Sequence, residues 1–147
     1  MKVSECMTRD VKFVSPDQPI AEAARLMLEA DTGALPVGSE ERVSGMITDR
    51  DIAVRAVAER RGPDTPVREV MSENPVFARQ DQDVEEVAMI MSDHQIRRLP
   101  VVDDNERLVG FISLADLALS GDTDEEAADA LSGISEPGGQ HNQSSSQ

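Results

Sequence analysis

The chain has 147 residues and a net charge of −15, from 14 basic and 29 acidic side chains. This size suits one domain, or two small halves that share a core. The acidic balance argues against nucleic acid and against an anionic membrane surface as partners, because both are bound through basic patches. No apolar run approaches the ~18 residues of a spanning helix, and the first residues lack the apolar segment of a signal peptide, so we expect a cytoplasmic protein.

The first half of the chain predicts a strand, a helix, two strands and a second helix. Residues 11–14 are typical of a short strand, which Ser15-Pro16 ends. Apolar residues at helical spacing from Ile20 to Leu28 predict an amphipathic helix that ends at Gly33. Two apolar strands follow, at 34–37 and 43–47, and a second helix is predicted from about residue 49 to 61, where Arg55, Arg60 and Arg61 suit a helix C-terminus.

The second half repeats this order. Residues 71–72 match Met7-Thr8, residues 76–78 match the first strand, and residues 99–102 match 35–37 at an offset of 64. Asp83 and Glu86 are spaced as a capping box before a helix. Each half, at roughly 55 residues, is too small to bury much apolar surface alone. We therefore predict two repeats at 7–62 and 71–120, joined by a linker at 63–70 and packed through their sheets with pseudo-twofold symmetry.

Each repeat ends in a similar octet, Gly45–Ile52 and Gly110–Leu117. Both octets keep a glycine, two apolar residues, a hydroxyl, two variable residues, an Asp and an apolar residue. One interpretation is a capping box, in which Thr48 or Ser113 caps a helix and the Asp three residues later accepts from the cap residue's own N–H. The other is a ligand site, because a helix N-terminus suits a phosphate and a carboxylate can accept from the hydroxyls of a ribose. The two interpretations are compatible.

The composition adds three expectations. Cys6 is the only cysteine, so no disulfide forms within the chain, and a link between subunits or an ordinary free thiol remain as alternatives. With three Phe and no Trp or Tyr, the core must be aliphatic. Residues 121–147 are acidic, then rich in Gly, Ser, Asn and Gln, which predicts a largely disordered tail.

The doubled pattern resembles the CBS domain, a family named after cystathionine β-synthase. The resemblance rests on the Met-Thr/Ser openings, the apolar-Pro-Val strands and the octets, and covers residues 7–118. The segments 31–37, 48–51 and 94–101 resemble those of stand-alone bacterial CBS-pair proteins, including the hypoxic-response type. The implied fold is α/β, with two tandem β-α-β-β-α repeats.

The resemblance also implies two clefts that take adenosine-containing ligands such as AMP, ADP, ATP, NAD or S-adenosylmethionine. The octet's Asp would hold the ribose hydroxyls, and its Ser or Thr would meet the phosphate. Each site would join one repeat's octet to the other repeat's opening strand and pre-Pro segment. Site one would use Thr48, Arg50, Asp51, Val76, Phe77, Ile96 and Arg97; site two would use Lys12, Phe13, Thr32, Gly33, Ser113 and Asp116.

The two implied sites differ in charge. Arg50 and Arg97 could make charge-assisted contacts with a phosphate at site one, although structural ion pairs are an equal alternative for Arg97. Lys12 is the only candidate cation at site two. A phosphorylated ligand is therefore expected at site one.

Three functions compete. The first is a regulatory protein that senses adenine nucleotides and acts on a separate, unidentified partner. The second is a ligand-independent interaction module, and a homodimer is expected in either case because the family dimerises through its octet helices. The third, an enzyme, is disfavoured, because the sequence has no assembled Cys/His pair, metal cluster, phosphate loop or serine elbow. No metal or required cofactor is expected.

Overall fold

The computed structural model describes residues 1–73 and 75–120, which form two compact units. Residues 12–73 and 75 make the first-repeat unit, and residues 1–11 and 76–120 make the second-repeat unit. Each unit contains a three-stranded sheet with helices. The predicted α/β class with two repeats is confirmed, whereas the predicted tail lies outside the described residues.

The first-repeat unit contains one long helix and one sheet. Its elements are α1 (Ile20–Ala30), β1 (Ala34–Gly38), β2 (Val43–Thr48), α2 (Asp49–Asp51), a π-helix (Ile52–Val57), a 3-10 turn (Val67–Glu69) and β3 (Ser72–Glu73). Strand β2 is central and pairs antiparallel with both β1 and β3. The octet therefore spans the last part of the central strand and the start of the following helix.

The second-repeat unit has the same plan with a parallel edge strand. Its elements are a 3-10 turn (Val3–Glu5), β4 (Ala78–Arg79), α3 (Val84–His94), β5 (Arg98–Val102), β6 (Leu108–Ser113) and α4 (Leu114–Ser120). Strand β5 pairs parallel with β4 and antiparallel with β6. The second octet again runs from a strand directly into a helix.

Each unit has its own aliphatic core, as the composition predicts. The first contains Val14, Ile20, Ala23, Met27, Leu35, Val37, Ile47, Ala56, Val67 and Val70. The second contains Val3, Met7, Ala78, Val84, Val87, Ala88, Met91, Ile96, Leu99, Val101, Ile112 and Leu117. Among the described residues, no helix is both long and apolar enough to cross a bilayer.

The compact units do not follow the repeat boundaries. Val3 and Met7 are buried in the core of the second-repeat unit, where the Thr8 N–H donates to the Phe111 carbonyl at 2.8 Å. Likewise, the segment 63–70, expected as a linker, supplies the buried Val67 and Val70 to the core of the first-repeat unit. Each octet strand therefore has as its neighbour the segment that precedes the other repeat.

The predicted strand at 11–14 is absent, and only Val14 forms a bridge, parallel to Val37. The Val14 N–H donates to the Pro36 carbonyl, and the Gly38 N–H donates to the Val14 carbonyl. Extending this ladder in either direction would need an N–H from Pro36 or Pro16, and proline has none. The same limit from Pro100 explains why the strand predicted at 76–78 begins only at residue 78.

The ends of three helices differ from the prediction. Helix α1 ends at Asp31, which adopts the left-handed conformation with φ 52°, a conformation that Asp tolerates, so Gly33 is not needed. The capping box predicted from Asp83 and Glu86 does not form, because the Asp83 carboxylate instead pairs with the Lys2 ammonium at 3.2 Å. The helix predicted over 49–61 is α-helical only to Asp51, continues as the π-helix, and ends at Val57.

The glycine that opens each octet allows a close backbone crossing. A Cβ at Gly45 would lie 2.5 Å from the Ser72 carbonyl oxygen, and one at Gly110 would lie 2.9 Å from the Thr8 carbonyl oxygen. Both distances are shorter than carbon–oxygen contact allows. The glycine is thus required because the neighbouring segment packs against the octet strand at this point.

We expect Gly45→Ala to lower the free energy of unfolding by about 1–3 kcal/mol, because the added methyl group must push β2 and β3 apart. Urea denaturation followed by circular dichroism measures this. Gly62→Ala is the matched control, since nothing lies within 4 Å of a Cβ there. Equal stability of the two variants would show that the crossing is not tight.

Candidate functional site

The first octet forms a reciprocal cap at the corner between β2 and α2. The Asp51 N–H donates to the Thr48 Oγ1 at 3.0 Å, and the Thr48 N–H donates to the Asp51 Oδ2 at 3.0 Å. Both residues are buried, with 1% and 6% of their surface exposed. The capping-box prediction is therefore confirmed here, and it fixes the carboxylate of Asp51 against the backbone.

The second octet repeats the cap between β6 and α4. The Asp116 N–H donates to the Ser113 Oγ at 3.2 Å, and the Ser113 N–H donates to the Asp116 Oδ2 at 2.9 Å. Ser113 and Asp116 are both half-buried. The two corners thus share hydrogen bonds but differ in exposure to water.

The surroundings of Asp51 at the first corner shift the pKa of its carboxyl group. Burial raises the pKa of its carboxyl, while hydrogen bonds from Thr48 and the charge of Arg55 act in the opposite direction and Asp49 adds to the rise. Oδ2 is engaged by the cap, whereas the nearest cation to Oδ1 is the Arg55 Nε at 3.9 Å. Within residues 1–73 and 75–120, Oδ1 therefore has no short hydrogen bond.

Each pre-Pro segment lies beside the octet of its own repeat. The Asp49 N–H donates to the Gly33 carbonyl at 2.9 Å, and the Leu114 N–H donates to the Arg97 carbonyl at 2.8 Å. Thr32 is bonded locally to Ala34. The structure thus places Thr32 and Gly33 with the first octet, within one unit, and Arg97 with the second.

The other predicted site residues divide in the same way. Lys12, Phe13 and Arg50 belong to the first-repeat unit, and Val76, Phe77 and Ile96 belong to the second-repeat unit. Arg50 is exposed, whereas Ile96 is 2% exposed and packs in the core. The site-one and site-two sets, each of which joins residues of both repeats, stay predictions.

Arg55 is a residue whose role at the corner the sequence analysis missed. It was assigned to the helix C-terminus, yet its Nη1 lies 3.3 Å from the Val70 carbonyl and 3.2 Å from the Met71 carbonyl, and its Nε faces Asp51. The available signal was the spacing of four residues from Asp51, which puts an acid and a base on one helix face.

Cys6 has the surroundings of an unreactive thiol. It is half-buried, and burial raises its pKa, with further rises from the charges of Asp116 and Glu5. A raised pKa lowers the thiolate fraction, which is the reactive form. Of the two alternatives, this favours the ordinary free thiol. Among residues 1–73 and 75–120, no cluster of three or more His, Cys, Asp or Glu could hold a metal ion.

Comparison with known proteins decides the family. The family model described as the CBS domain matches twice, at residues 3–57 and 67–120. The chain belongs to the CBS-domain family. Both matches include the caps and the preceding strand pair, so the doubled corner is part of the family's repeated unit.

Named relatives agree with this assignment. The CBS domain-containing protein YhcV of Bacillus subtilis is 47% identical over 133 residues, covering 90% of this chain and 94% of that protein. The solved hypoxic response protein I, which holds two coordinated zinc ions, is 33% identical with a TM-score of 0.74, covering 81% and 98%. The CBS pair of protein MJ0100, solved with 5′-methylthioadenosine and S-adenosylmethionine, is 31% identical with a TM-score of 0.71, covering 82% and 96%.

We expect Asp51→Asn to change how stability depends on pH. The Asn oxygen can still accept from the Thr48 N–H, but the charge is gone. Burial raises the pKa of Asp51 in the folded state above its value in the unfolded state. The wild type therefore loses stability as the pH rises through the folded-state pKa, and below the unfolded-state pKa this destabilisation is absent.

The variant should therefore gain stability relative to the wild type between about pH 4 and pH 7.5. Urea denaturation of both proteins at these two pH values measures the difference. If the variant instead becomes less stable relative to the wild type as pH rises, the hydrogen bonds from Thr48 and the charge of Arg55 affect the pKa of Asp51 more than burial does.

Proposed function

We propose that this protein is a regulatory CBS pair that binds an adenosine-containing ligand of the AMP, ATP or NAD type and acts on a separate protein. The observation that carries this proposal is the carboxylate of Asp51, which is buried at a strand-to-helix corner. One of its oxygens is engaged by the cap, and the other has no short hydrogen bond to the part of the chain that the structure describes. Such an oxygen can accept from ligand hydroxyl groups.

The chemistry of the corner fits a ribose. Two neighbouring hydroxyls are donors, and a partly desolvated carboxylate is a strong acceptor for them. The complex of protein MJ0100 with 5′-methylthioadenosine and S-adenosylmethionine supports an adenosine ligand, since both compounds carry this ribose. Asp116 repeats the arrangement in the second-repeat unit.

The first corner is the better candidate for a phosphorylated ligand. Arg50 is exposed directly beside the cap, whereas the corresponding position in the second octet is Ala115. A guanidinium can make paired, charge-assisted hydrogen bonds with a phosphate. We therefore propose that AMP binds with its ribose at Asp51 and its phosphate near Arg50.

We expect Asp51→Asn to weaken AMP binding by about 1–3 kcal/mol, because the amide cannot replace the second carboxylate oxygen as an acceptor. Isothermal titration calorimetry measures the affinity. Asp116→Asn is the matched control, since it changes the other cap in the same way and should leave the first corner unaltered. No heat with wild-type protein at millimolar AMP would refute the proposal.

The exposed apolar residues of the octet helices favour a second candidate, a dimeric interaction module in which ligand is irrelevant. In the first-repeat unit, Val54 and Val57 on the π-helix are 48% and 66% exposed, and in the second-repeat unit Leu119 on α4 is 86% exposed. Exposed apolar side chains that neighbour one another, as Val54 and Val57 do at a spacing of three residues, are typical of a contact surface, whereas single ones are common on protein surfaces. We propose that these helices form a homodimer in either case.

We expect Val57→Asp to shift the protein from dimer to monomer, because a charge buried in an apolar contact is strongly unfavourable. Sedimentation velocity measures the oligomeric state, and circular dichroism checks that the variant folds. Leu28→Asp is the matched control, as Leu28 is also exposed but lies on α1. A wild type that sediments as a monomer would refute the dimer.

A further inference from the structure

Arg55 connects the buried corner of the first-repeat unit to a distant stretch of backbone. Its Nε lies 3.9 Å from the Asp51 Oδ1, while its Nη1 donates to the carbonyls of Val70 and Met71 at 3.3 and 3.2 Å. These carbonyls directly precede β3, which pairs with the octet strand. One side chain thus contacts the cap carboxylate and the segment that enters the edge strand.

The planar guanidinium of Arg55 can contact both of these groups at once. Its donors are fixed in a plane, so engaging two backbone carbonyls through Nη1 leaves Nε held toward one side. Here that side carries the carboxylate oxygen that the cap does not use. Because the two carbonyls hold the guanidinium, the position of its charge beside Asp51 is set by the fold rather than by a mobile side chain.

The second octet lacks this arrangement. The position that corresponds to Arg55, 65 residues later, is Ser120, which has no charge. The two caps have the same hydrogen bonds, so the arginine is not needed to form the cap. Among the salt bridges of the described residues, a cation beside the cap carboxylate is found at the first corner.

We propose that Arg55 is a positioning residue that orients the free oxygen of Asp51 for ligand hydroxyls and couples this oxygen to the 70–73 segment. Its effect on the carboxylate is a property of the ligand-free protein, whereas its consequence for the ligand rests on the proposed function. A ligand hydroxyl that donates to Oδ1 would contact the same carboxylate that Arg55 holds in place. Binding would then be transmitted to the edge strand through the guanidinium.

The charges around Asp51 act in a direction consistent with this role. Burial raises the pKa of its carboxyl, and the nearby Asp49 adds to this, while Arg55 and the hydrogen bonds from Thr48 oppose it. Arg55 is the only cation among these influences. Removing its charge should therefore make the carboxylate harder to ionise.

A matched control exists on the same side of the unit. Arg61 contacts Glu69 at 3.1 Å, with both side chains about half exposed. This pair also joins the turn that follows the π-helix to the segment before β3, but among the described contacts it does not approach Asp51. Arg61→Met therefore removes a comparable tie without touching the carboxylate.

The decisive measurement is the carboxyl ¹³C titration of Asp51 by NMR in the ligand-free protein. We expect Arg55→Met to raise the pKa of Asp51, Arg55→Lys to restore most of the difference, and Arg61→Met to leave it unchanged. A purely structural tie would give the same pKa in all four proteins, and this result would overturn the proposal. Hydrogen exchange at residues 70–73 should also accelerate in Arg55→Met.

The second arm uses AMP as the probe in calorimetry. Arg55→Met should weaken AMP binding by up to about fivefold, the upper range for a partly exposed charged contact, with recovery in Arg55→Lys. If wild-type protein binds no AMP, the proposed function fails, and the titration alone decides the role of Arg55. If AMP binds and Arg55→Met binds it equally well, the positioning role for ligand is wrong.

Discussion

The structure depends on a reciprocal pair of hydrogen bonds at the point where a strand of each sheet becomes a helix. In each unit the hydroxyl of the cap residue accepts from the helix while a carboxylate three residues later accepts from the cap. The strand passes directly into a helix here without an intervening loop, so the corner is fixed by its own side chains. The same carboxylate keeps a second oxygen that the backbone does not use, and this is where structure and proposed function meet.

The two corners form the same pair of hydrogen bonds but lie in different environments. Thr48 and Asp51 are buried, and Arg55 lies beside them, whereas Ser113 and Asp116 are half-buried. A carboxylate removed from water interacts more strongly with nearby charges than one that water screens. The same capped corner thus occurs in two environments, and the charge interactions of its carboxylate are stronger in the more buried one.

Much of the fold and part of the site followed from local patterns. The strands predicted at 34–37 and 43–47, the helix from residue 20 and both caps are present, because each depends on neighbours within a few residues. The strand predicted at 11–14 does not form, because Pro16 and Pro36 lack the N–H groups that the ladder needs. The residues of a strand do not by themselves show which segment it pairs with. The capping box predicted at Asp83 is also absent, and its carboxylate instead forms an ion pair with Lys2, a residue far away in the sequence.

The sequence by itself determined the family, the duplication, the aliphatic cores and the capped corners, because spacing and residue type dictate these over short distances. Only the tertiary structure decided that residues 1–11 pack with the second repeat, that segment 63–70 enters the first core, and that Arg55 joins Asp51 to the carbonyls of residues 70 and 71. These contacts join residues far apart in the chain, where no periodicity links them. Burial, which sets the charge behaviour of Asp51, likewise exists only once the surrounding elements have packed.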